Sequence, residues 1–533
     1  MIGKSDEREN QMIIYNINRG IGWASSGVEY AQAYRANLLR KAGYKMKFIF
    51  TDMFQSENIE HMTKNIGFED EEVIWLYSFF TDFKIAPTTY TLKELESTFY
   101  CQIMNMRREG NSVRYDFDAP GLYAKVYLKK GCPDIAQRVE YVSNGCLIRK
   151  DYFTYGRLFS EYYSPVENSA HLYLRRFFNE DGSEAWTEVI DGEKSIFRIG
   201  NRTIFSKQRL IAYLIECLHM TEDDVMIIDR ATDIGQAVLQ YHGKAKVGSV
   251  IHAEHYSENS LSRKDILWNN YYEYEFMNAE RLDFFITSTD AQKRILKEQF
   301  AGYYGYAPKI VTIPVGSLDE LKKPDARRKK HSMITASRLA SEKHIDWLVM
   351  ATVKAHEKVP DISLDIYGSG GEEKTLQNMI QVLKAESYIH LMGHQHLDDV
   401  YQKYEAYAAG STSEGFGLTL LEAVGSGLAM IGFDVHYGNQ TFVADGENGY
   451  LLPYDRESNP VGQSDVLADA MVKLFTEADL EAFSEKSYEI AEKYLTYHVV
   501  DAWIDLLEGL RPNMDERNAG GLTDDFTGRT LGR

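Results

Sequence analysis

The strongest constraint on this fold is a repeated order of short apolar segment, turn and helical pattern on both sides of a charged linker. The apolar run Met12 to Ile17 leads into a glycine-containing loop, a helical pattern covers Val28 to Arg40, and a second apolar run covers Met46 to Phe50. This order begins a doubly wound α/β domain. It returns after the linker Asp319 to Lys330, so we expect two such domains in series, with ligands bound at the carboxyl ends of the strands.

A stretch of different character interrupts the first α/β pattern. From about Phe79 to Phe205 the chain is rich in Tyr, Phe, Val and Thr, with turn signals such as Asn144-Gly145 and Asp181-Gly182. These features predict an antiparallel β-rich insertion. The predicted strands include Val113 to Phe117, Tyr123 to Leu128, His171 to Phe178 and Ser195 to Ile199.

The composition limits the function classes. With 533 residues and 44% hydrophobic content, the chain is long enough for two or three globular domains. A net charge of −20 argues against a general nucleic-acid binder, which needs a basic face. No run reaches the roughly 18 apolar residues of a membrane helix, and the first eleven residues lack a signal-peptide core. The four cysteines match no zinc pattern. We therefore expect a cytosolic protein with free thiols.

The segment Ser411 to Ala423 carries the most informative motif, two acids eight residues apart. If a helix begins near Phe416, its amino-terminal amides point into the expected cleft, where a phosphate can bind. Gly415 and Gly417 would let the backbone approach a ligand closely. In isolation, the spacing of Glu414 and Glu422 fits a capped helix with a solvated glutamate better than a binding site.

Neighbouring motifs favour a binding site at Glu414 and Glu422 over a simple capped helix. Arg338 and Lys343 follow an apolar strand five residues apart, and Gly393 and His394 follow another. Two cations at one strand end can neutralise a diphosphate in place of a metal ion, although alone they also fit surface charges. No Asp-x-Asp motif at a strand end indicates a metal-dependent site. We therefore expect no metal and no other cofactor.

The motif series R-x4-K, Y-G-x-G, G-H and E-G-F-G-L-T-L-L-E, in this order, resembles the retaining GT-B glycosyltransferases. This resemblance is strong over residues 330–455. A closer resemblance, which spans most of the chain, is carried by stretches such as NINRGIGWASSGVEYAQAYR, HAEHYSEN and ILWNNYYEYEF. By these stretches the chain is similar to the GtfA catalytic subunits, of glycosyltransferase family 4, which add the first sugar to serine-rich repeat adhesins together with an inactive GtfB subunit.

The resemblance implies an organisation of domains and partners. It implies an N-terminal Rossmann-like acceptor-side domain (1–78 and 206–320), a partner-binding β-rich insertion (79–205) and a C-terminal Rossmann-like nucleotide-sugar domain (331–495). A helix (496–511) is expected to pack back on the first domain, before a mobile tail (512–533). The implied donor is UDP-GlcNAc or UDP-glucose, the acceptors are serine or threonine hydroxyls, and the partner is a GtfB-like subunit. The protein would be cytoplasmic, or peripheral at the inner face of the cell membrane.

The resemblance also implies residue roles. Glu414 would contact sugar hydroxyls and Glu422 the ribose, while His252, at a strand end, would sit beside the transferring sugar. Arg338 and Lys343 would stabilise the leaving diphosphate. The bare sequence also fits a structural role for His252 and a simple tight turn at the first glycine loop. The remaining expected donor-binding residues are Gly27, Val28, Glu29, Tyr30, Gly393, His394, Gly415, Phe416, Gly417, Leu418 and Thr419.

Two alternatives to a peptide O-glycosyltransferase stay open at this level. One is a transferase that modifies cell-wall glycan or teichoic acid on the same scaffold. The other is a catalytically inactive binding subunit. The intact pair Glu414 and Glu422, together with Arg338 and Lys343, argues against the inactive subunit, because such a copy has no need of these residues.

Overall fold

A computed structural model describes residues 12–21, 27–167, 169–262, 264–457 and 459–511. The expected mobile tail at 512–533, the first eleven residues and Gly22 lie outside the described residues. The chain divides into two compact units. Of the described residues, the first unit holds those within 12–250, 270–283 and 510–511, and the second holds those within 251–269 and 284–509.

The first unit contains a parallel sheet and an antiparallel sheet. Its strands are β1 (Ile13–Asn18), β2 (Lys45–Phe50), β3 (Val73–Trp75), β4 (Ile103–Glu109), β5 (Ser112–Phe117), β6 (Leu122–Leu128), β7 (Ala136–Ser143), β8 (Cys146–Phe153), β9 (Arg157–Val166), β10 (Ser169–Phe178), β11 (Glu184–Asp191), β12 (Lys194–Ile199), β13 (Arg202–Ile204), β14 (Val225–Ile228) and β15 (Lys246–Ile251). Its helices are α1 (Gly27–Lys41), α2 (Ile59–Asn65), α3 (Leu92–Glu96), α4 (Lys207–Cys217), α5 (Gly235–Tyr241) and α6 (Glu273–Met277).

In the parallel sheet of this unit the strands run in the order β15-β14-β1-β2-β3. Their side chains are buried on both faces, as helices covering a parallel sheet require. A buried ion pair joins α1 to the end of β14, with Arg35 Nη2 2.6 Å from Asp229 Oδ2. Gln32 donates to the same oxygen at 2.7 Å. Because removing one partner would leave a buried charge, this contact holds the middle of α1 against the sheet.

The predicted β-rich insertion is an antiparallel sheet that runs in chain order from β4 to β13. Its four predicted strands are present as β5, β6, β10 and β12, each within two residues of the expected bounds. Buried side chains on one face of the sheet, including Val113, Tyr115, Val126 and Val139, form a hydrophobic cluster with Leu92 and Leu95 of α3. Strand β4 lies at one edge, and most of its residues are exposed.

The second unit contains a parallel sheet in the order β20-β19-β18-β21-β22-β23 and a parallel pair of strands, β16 and β17. Its strands are β16 (Phe284–Thr287), β17 (Ile310–Thr312), β18 (Ser332–Ala336), β19 (Ser363–Tyr367), β20 (Ile389–Gly393), β21 (Ala406–Ala408), β22 (Ala429–Phe433) and β23 (Gly449–Leu452). Its helices are α7 (Asp290–Tyr304), α8 (Ile345–His356), α9 (Glu373–Val382), α10 (Leu418–Gly425), α11 (Gly438–Phe442), α12 (Pro460–Glu477), α13 (Leu480–Glu492) and α14 (Thr496–Glu508).

The predictions of two doubly wound α/β patterns and an antiparallel insertion are confirmed. The domain bounds stay a prediction; in the structure, residues 284–320 and α14 group with the second unit. Cys101, Cys132, Cys146 and Cys217 are all free thiols, as expected. Within the described residues, no helix is both long and apolar enough to cross a bilayer.

Candidate active site

The order of the second sheet places a ligand site between β18 and β21. Chain order reverses direction at these neighbouring strands, with β19 and β20 on one side and β22 and β23 on the other. Ligands of open α/β sheets bind in the crevice outside the carboxyl ends of such strands. The loop after β18 carries Arg338 and Lys343, and the loop after β21 carries Glu414. The topology therefore brings the two predicted motifs to the same edge of the sheet.

Glycines let the backbones at this edge pack closely. A Cβ on Gly368, whose φ is +131°, would lie 1.9 Å from the carbonyl oxygen of Ser337, and a Cβ on Gly370 would lie 2.3 Å from that of Leu339. The Y-G-x-G turn after β19 therefore holds the loop that carries Arg338. Gly410, after β21, also allows close packing against the loop that follows β18, because a Cβ on Gly410 would lie 2.6 Å from the carbonyl oxygen of His344.

An ion pair joins the two motifs. Lys343 Nζ donates to Glu414 Oε2 at 2.6 Å, and their side chains are only 17% and 21% exposed. A charge-assisted hydrogen bond this short fixes the orientation of the carboxylate. The structure thus places Lys343, predicted to face a diphosphate, directly against Glu414, predicted to contact a sugar.

Arg338 has a different environment from Lys343. Its side chain is 78% exposed, and its guanidinium pairs with Glu342 at 3.0 Å. Exposed pairs of this kind contribute little stability, so the guanidinium can change partners at small cost. The two predicted cations are therefore distinct in burial and in partner.

The backbone of Glu414 is held by the loop after β22. The N–H groups of Tyr437 and Gly438 donate to the carbonyl oxygen of Glu414 at 2.6 and 2.8 Å, and the N–H of Glu414 donates to the carbonyl of His436 at 3.0 Å. A Cβ on Gly438 would lie 2.2 Å from the carbonyl oxygen of Phe416. This loop therefore fixes both ends of the segment that begins the E-x7-E motif.

Two histidines that follow β15, His252 and His255, lie near the loop that carries Glu414. A Cβ on Gly415 would lie 3.3 Å from the carbonyl oxygen of His252, which places the predicted His252 next to the Glu414 loop. His255 is fully buried, and its Nδ1 lies 2.7 Å from the Tyr437 hydroxyl and its Nε2 2.8 Å from Gln299 Oε1. Burial lowers the pKa of His255 to about 4, so its ring is neutral and positions Tyr437. The contacts of His255 are therefore structural.

Helix α10 begins one turn after Glu414. Gly417 caps it with a φ of +84°, a conformation that favours glycine. A helix therefore begins within two residues of Phe416, as the sequence predicts, and the expected contact of its first amides with a phosphate stays a prediction. Glu422 accepts a hydrogen bond from the Tyr401 hydroxyl at 2.8 Å, and burial raises its pKa. Thr419 bonds Tyr407 at 2.9 Å, while Phe416 is buried and Leu418 is 46% exposed.

The remaining predicted residues are placed as follows. Gly393 ends β20 with a φ of +70°, and His394 follows it with an exposed side chain. Gly27 begins α1, where Val28 and Glu29 are buried, and Tyr30 is 55% exposed. These last four belong to the first unit, and their expected contact with a donor stays a prediction.

A group of possible metal ligands also lies in the second unit. Single oxygen or nitrogen atoms of Glu254, Glu258 and His436 lie within 4.8 Å of one another. Glu258 already pairs with Arg456 and lies 2.7 Å from His436 Nδ1. The guanidinium balances the charge of Glu258, whereas burial raises the pKa of Glu254.

Sequence reasoning missed the tyrosines that hold the site acids. Tyr401 and Tyr437 come from loops that carry no motif, and aromatic residues are common throughout this chain. A weak signal exists for Tyr437, because it stands directly before Gly438 in a turn between a strand and a helix. The arrangement as a whole supplies a fixed carboxylate, a half-buried ammonium, an exposed guanidinium and a helix start, which together suit a sugar joined to a diphosphate.

Two family models and several known proteins match this chain. Residues 105–201 match the family model of the GtfA extended beta-sheet domain, and residues 318–486 match that of the glycosyl transferases group 1. The chain is 53% identical over 503 residues to the UDP-N-acetylglucosamine–peptide N-acetylglucosaminyltransferase GtfA subunit of Streptococcus gordonii, covering 94% of this chain and 99% of that protein.

Two solved structures are also similar. The crystal structure of a GtfA/B complex holds a chain 52% identical, with a TM-score of 0.91, and the match covers 94% of this chain and 99% of that one. The pneumococcal O-GlcNAc transferase GtfA, solved in complex with UDP and GlcNAc, is 48% identical with a TM-score of 0.83 over the same shares. By contrast, the poly(glycerol-phosphate) alpha-glucosyltransferase of Bacillus subtilis is 26% identical over 69% of this chain and 53% of its own length.

Proposed function

Because this chain belongs to the family of GtfA subunits of UDP-N-acetylglucosamine–peptide N-acetylglucosaminyltransferases, we propose that it transfers GlcNAc from UDP-GlcNAc to protein hydroxyls. The acceptors are serine and threonine residues of a serine-rich repeat adhesin, and the reaction is the first step of its O-glycosylation. The predicted GT-B class is confirmed. The teichoic-acid alternative is disfavoured, since those transferases are only distant relatives.

The ion pair between Lys343 and Glu414 is the observation that carries this proposal. It lies at the strand edge where an α/β sheet binds its ligand, next to the start of α10. In our proposal Glu414 accepts hydrogen bonds from sugar hydroxyls, and Glu422 accepts them from the ribose. The solved complex of the 48% identical relative with UDP and GlcNAc supports a donor of this chemistry.

The proposed mechanism needs no metal ion. Lys343, Arg338 and the amides that begin α10 together stabilise the negative charge that develops on the leaving diphosphate. The acceptor attacks from the same face as the leaving group departs, so the anomeric configuration is retained. The leaving phosphate accepts the acceptor's proton, and His252 lies beside the transferring sugar.

Transfer of labelled sugar to peptide tests this function directly. The purified chain, alone and with a GtfB-like subunit, is incubated with labelled UDP-GlcNAc or UDP-glucose and a Ser/Thr-rich peptide. We expect label from UDP-GlcNAc on the peptide, unchanged by EDTA and increased by the partner. Label on teichoic acid or glycan but not on peptide would reject the proposal, and a loss of transfer in EDTA would reject its metal-free mechanism.

We propose that the antiparallel sheet binds the GtfB-like partner through its edge strand β4. Met104 and Met106 of this strand are 66% and 50% exposed, and Met104 lies where the pairing of β4 with β5 is irregular, between Ile103 and Asn105. An edge strand offers unpaired backbone groups that another chain can cover. The GtfA/B crystal structure supports the existence of such a partner.

The double substitution of Met104→Asp and Met106→Asp is expected to weaken partner binding by roughly tenfold or more, because it charges an apolar contact face. Co-purification and a direct binding titration would measure this. Val382→Asp is the matched control, since Val382 is 80% exposed on α9 of the second unit. If the double variant is folded and binds the partner like the control, β4 is not the contact strand.

The protein is proposed to act in the cytoplasm or peripherally at the inner face of the cell membrane. The net charge of −20 would disfavour direct binding to an anionic lipid surface. Peripheral association would therefore depend on its partners.

A further inference from the structure

A short loop, residues 434–437, connects β22 to α11 and holds the backbone of Glu414 on both sides. The carbonyl of His436 accepts a hydrogen bond from the Glu414 N–H at 3.0 Å, and the Tyr437 N–H donates to the Glu414 carbonyl at 2.6 Å. A shift of this loop would therefore move Glu414 as well. Because a loop outside helices and sheets is displaced more easily than they are, the place of Glu414 depends on what fixes His436 and Tyr437.

The segment that follows β15 contacts both of these side chains. Residues 251–269 group with the second unit, as the loop does. The Tyr437 hydroxyl lies 2.7 Å from Nδ1 of the buried His255. The rings of His436 and Tyr256 have centres 6.5 Å apart, and His436 Nδ1 lies 2.7 Å from Glu258 Oε1. The segment therefore supplies a neighbour for each side chain at the end of the loop.

Glu258 is fixed in turn by an ion pair. Its second oxygen, Oε2, pairs with the guanidinium of Arg456, which follows β23. The contact at His436 Nδ1 does not have the geometry of a directed hydrogen bond, so the pair with Arg456 sets the place of the carboxylate. The side chain of Glu258 is only 28% exposed, which limits the screening of this pair. One carboxylate thus joins the segments that follow β15, β22 and β23.

The neighbouring acid, Glu254, has a different environment. It offers an oxygen within 4.8 Å of ligand atoms of Glu258 and His436, yet its carboxylate forms no hydrogen bond or ion pair among the described residues. Burial raises the pKa of Glu254, and the charge of Glu258 raises it further. Removal of the Glu254 carboxylate would leave the contacts of Glu258 in place, which makes Glu254 a matched control.

We propose that Glu258 is a positioning residue for the transfer reaction, which fixes His436 and thereby the loop that holds the backbone of Glu414. The inference rests on the proposed function, in which Glu414 contacts the sugar of the donor. Glu258 acts through the loop and not on the sugar itself. A displacement of about 1 Å at a reacting group can cost roughly 100-fold in rate, so a carboxylate behind the loop can control kcat.

A double-mutant cycle of Glu258→Ala and Glu414→Gln tests this role. Glu258→Ala alone is expected to lower kcat by about ten- to 100-fold, with the affinity for UDP unchanged because UDP lacks the sugar. In the Glu414→Gln background the same substitution should cost less than about threefold, since a residue that acts through Glu414 has little left to position. Glu258→Gln keeps the shape of the side chain and an acceptor for Arg456, so it should recover most of the kcat.

Hydrogen exchange of the full chain gives a readout that does not depend on sugar transfer. In Glu258→Ala, peptides that cover residues 412–416 and 434–438 should both exchange faster than in wild type. Arg456→Ala removes the same ion pair at a 46% exposed residue, so it provides a second variant with the same expected changes if Glu258→Ala does not fold. Glu254→Gln should match wild type in exchange and in kcat.

Each outcome bears on a stated claim. Losses that multiply in the double variant, or unchanged exchange at 412–416 in Glu258→Ala, would overturn the role of Glu258. Equal effects of Glu254→Gln and Glu258→Ala would show that the two acids and His436 act together, as around a bound cation, which also overturns it. If wild type transfers no sugar to peptide, the proposed function fails, whereas hydrogen exchange still decides whether Glu258 fixes the loop.

Discussion

Glu414→Gln is expected to reduce sugar transfer by roughly two to three powers of ten in kcat while the fold is preserved. The wild-type carboxylate accepts a hydrogen bond from Lys343 at 2.6 Å in a half-buried site. The amide has the same shape but no charge, so it is a weaker acceptor for sugar hydroxyls. It also leaves the ammonium of Lys343 without its anionic partner.

Steady-state kinetics with UDP-GlcNAc and a Ser/Thr-rich peptide measure this loss, and a thermal melt checks the fold. Glu447→Gln is the matched control, because Glu447 pairs with Lys486 at 3.0 Å in the same unit but is 62% exposed. The control should retain wild-type kcat. Wild-type turnover in Glu414→Gln would remove Glu414 from the site.

Glu275→Gln is expected to remove a pH dependence of stability that one buried carboxyl group creates. Glu275 is fully buried in α6 of the first unit, and neither of its carboxyl oxygens has a hydrogen-bond partner among the described residues. Burial raises its pKa to about 8, because no neighbouring cation compensates the charged form. The group is therefore mostly protonated in the folded protein at neutral pH.

The sign of the effect follows from proton binding. Between about pH 4.5 and pH 8 the folded state holds a proton that the unfolded state has lost, so the free energy of unfolding decreases as pH rises. At about 1.4 kcal/mol per pH unit, this amounts to a few kcal/mol across the window. Above pH 8 both states are ionised, and the contribution becomes constant.

Thermal melts of wild type and Glu275→Gln at several pH values between 5 and 8.5 measure the effect. The variant should gain several degrees relative to wild type as pH rises, since its amide does not ionise. Glu273→Gln, in the same short helix but exposed, is the control and should follow wild type. Parallel pH profiles for Glu275→Gln and wild type would contradict the buried-acid assignment.

The sequence predicts the strands that carry a clear hydrophobic pattern and misses those that do not. The apolar runs Met12 to Ile17 and Met46 to Phe50 are the strands Ile13–Asn18 and Lys45–Phe50, each within one residue of the predicted bounds, because apolar runs followed by turn residues mark buried parallel strands. The three-residue strand Val73–Trp75 was missed, since so short a run has no pattern. Ile103–Glu109 was also missed, because its exposed residues carry little hydrophobic alternation.

The site was predictable in its motifs but not in its contacts. Family order of the motifs pointed to Glu414, Glu422 and Lys343, and the strand order brings the segments of Lys343 and Glu414 to one edge. The ion pair between Lys343 and Glu414 was not predicted, since the two residues are 71 positions apart and each had been given a separate ligand. The close packing of Gly368 against the backbone of Ser337 could not be predicted either, because the same glycine motif fits a contact with a ligand or with another loop.

Strand β4 also bears on how the protein must be produced in the cell. Its outer backbone groups can pair with any extended chain, including another copy. Arg107 and Arg108 offer only partial protection, because Arg107 pairs with Asp116 and Arg108 pairs with Asp134. A surplus of this subunit over its partner would therefore be prone to self-association. Balanced synthesis of the two proteins, in step and at similar levels, would then serve solubility as well as catalysis.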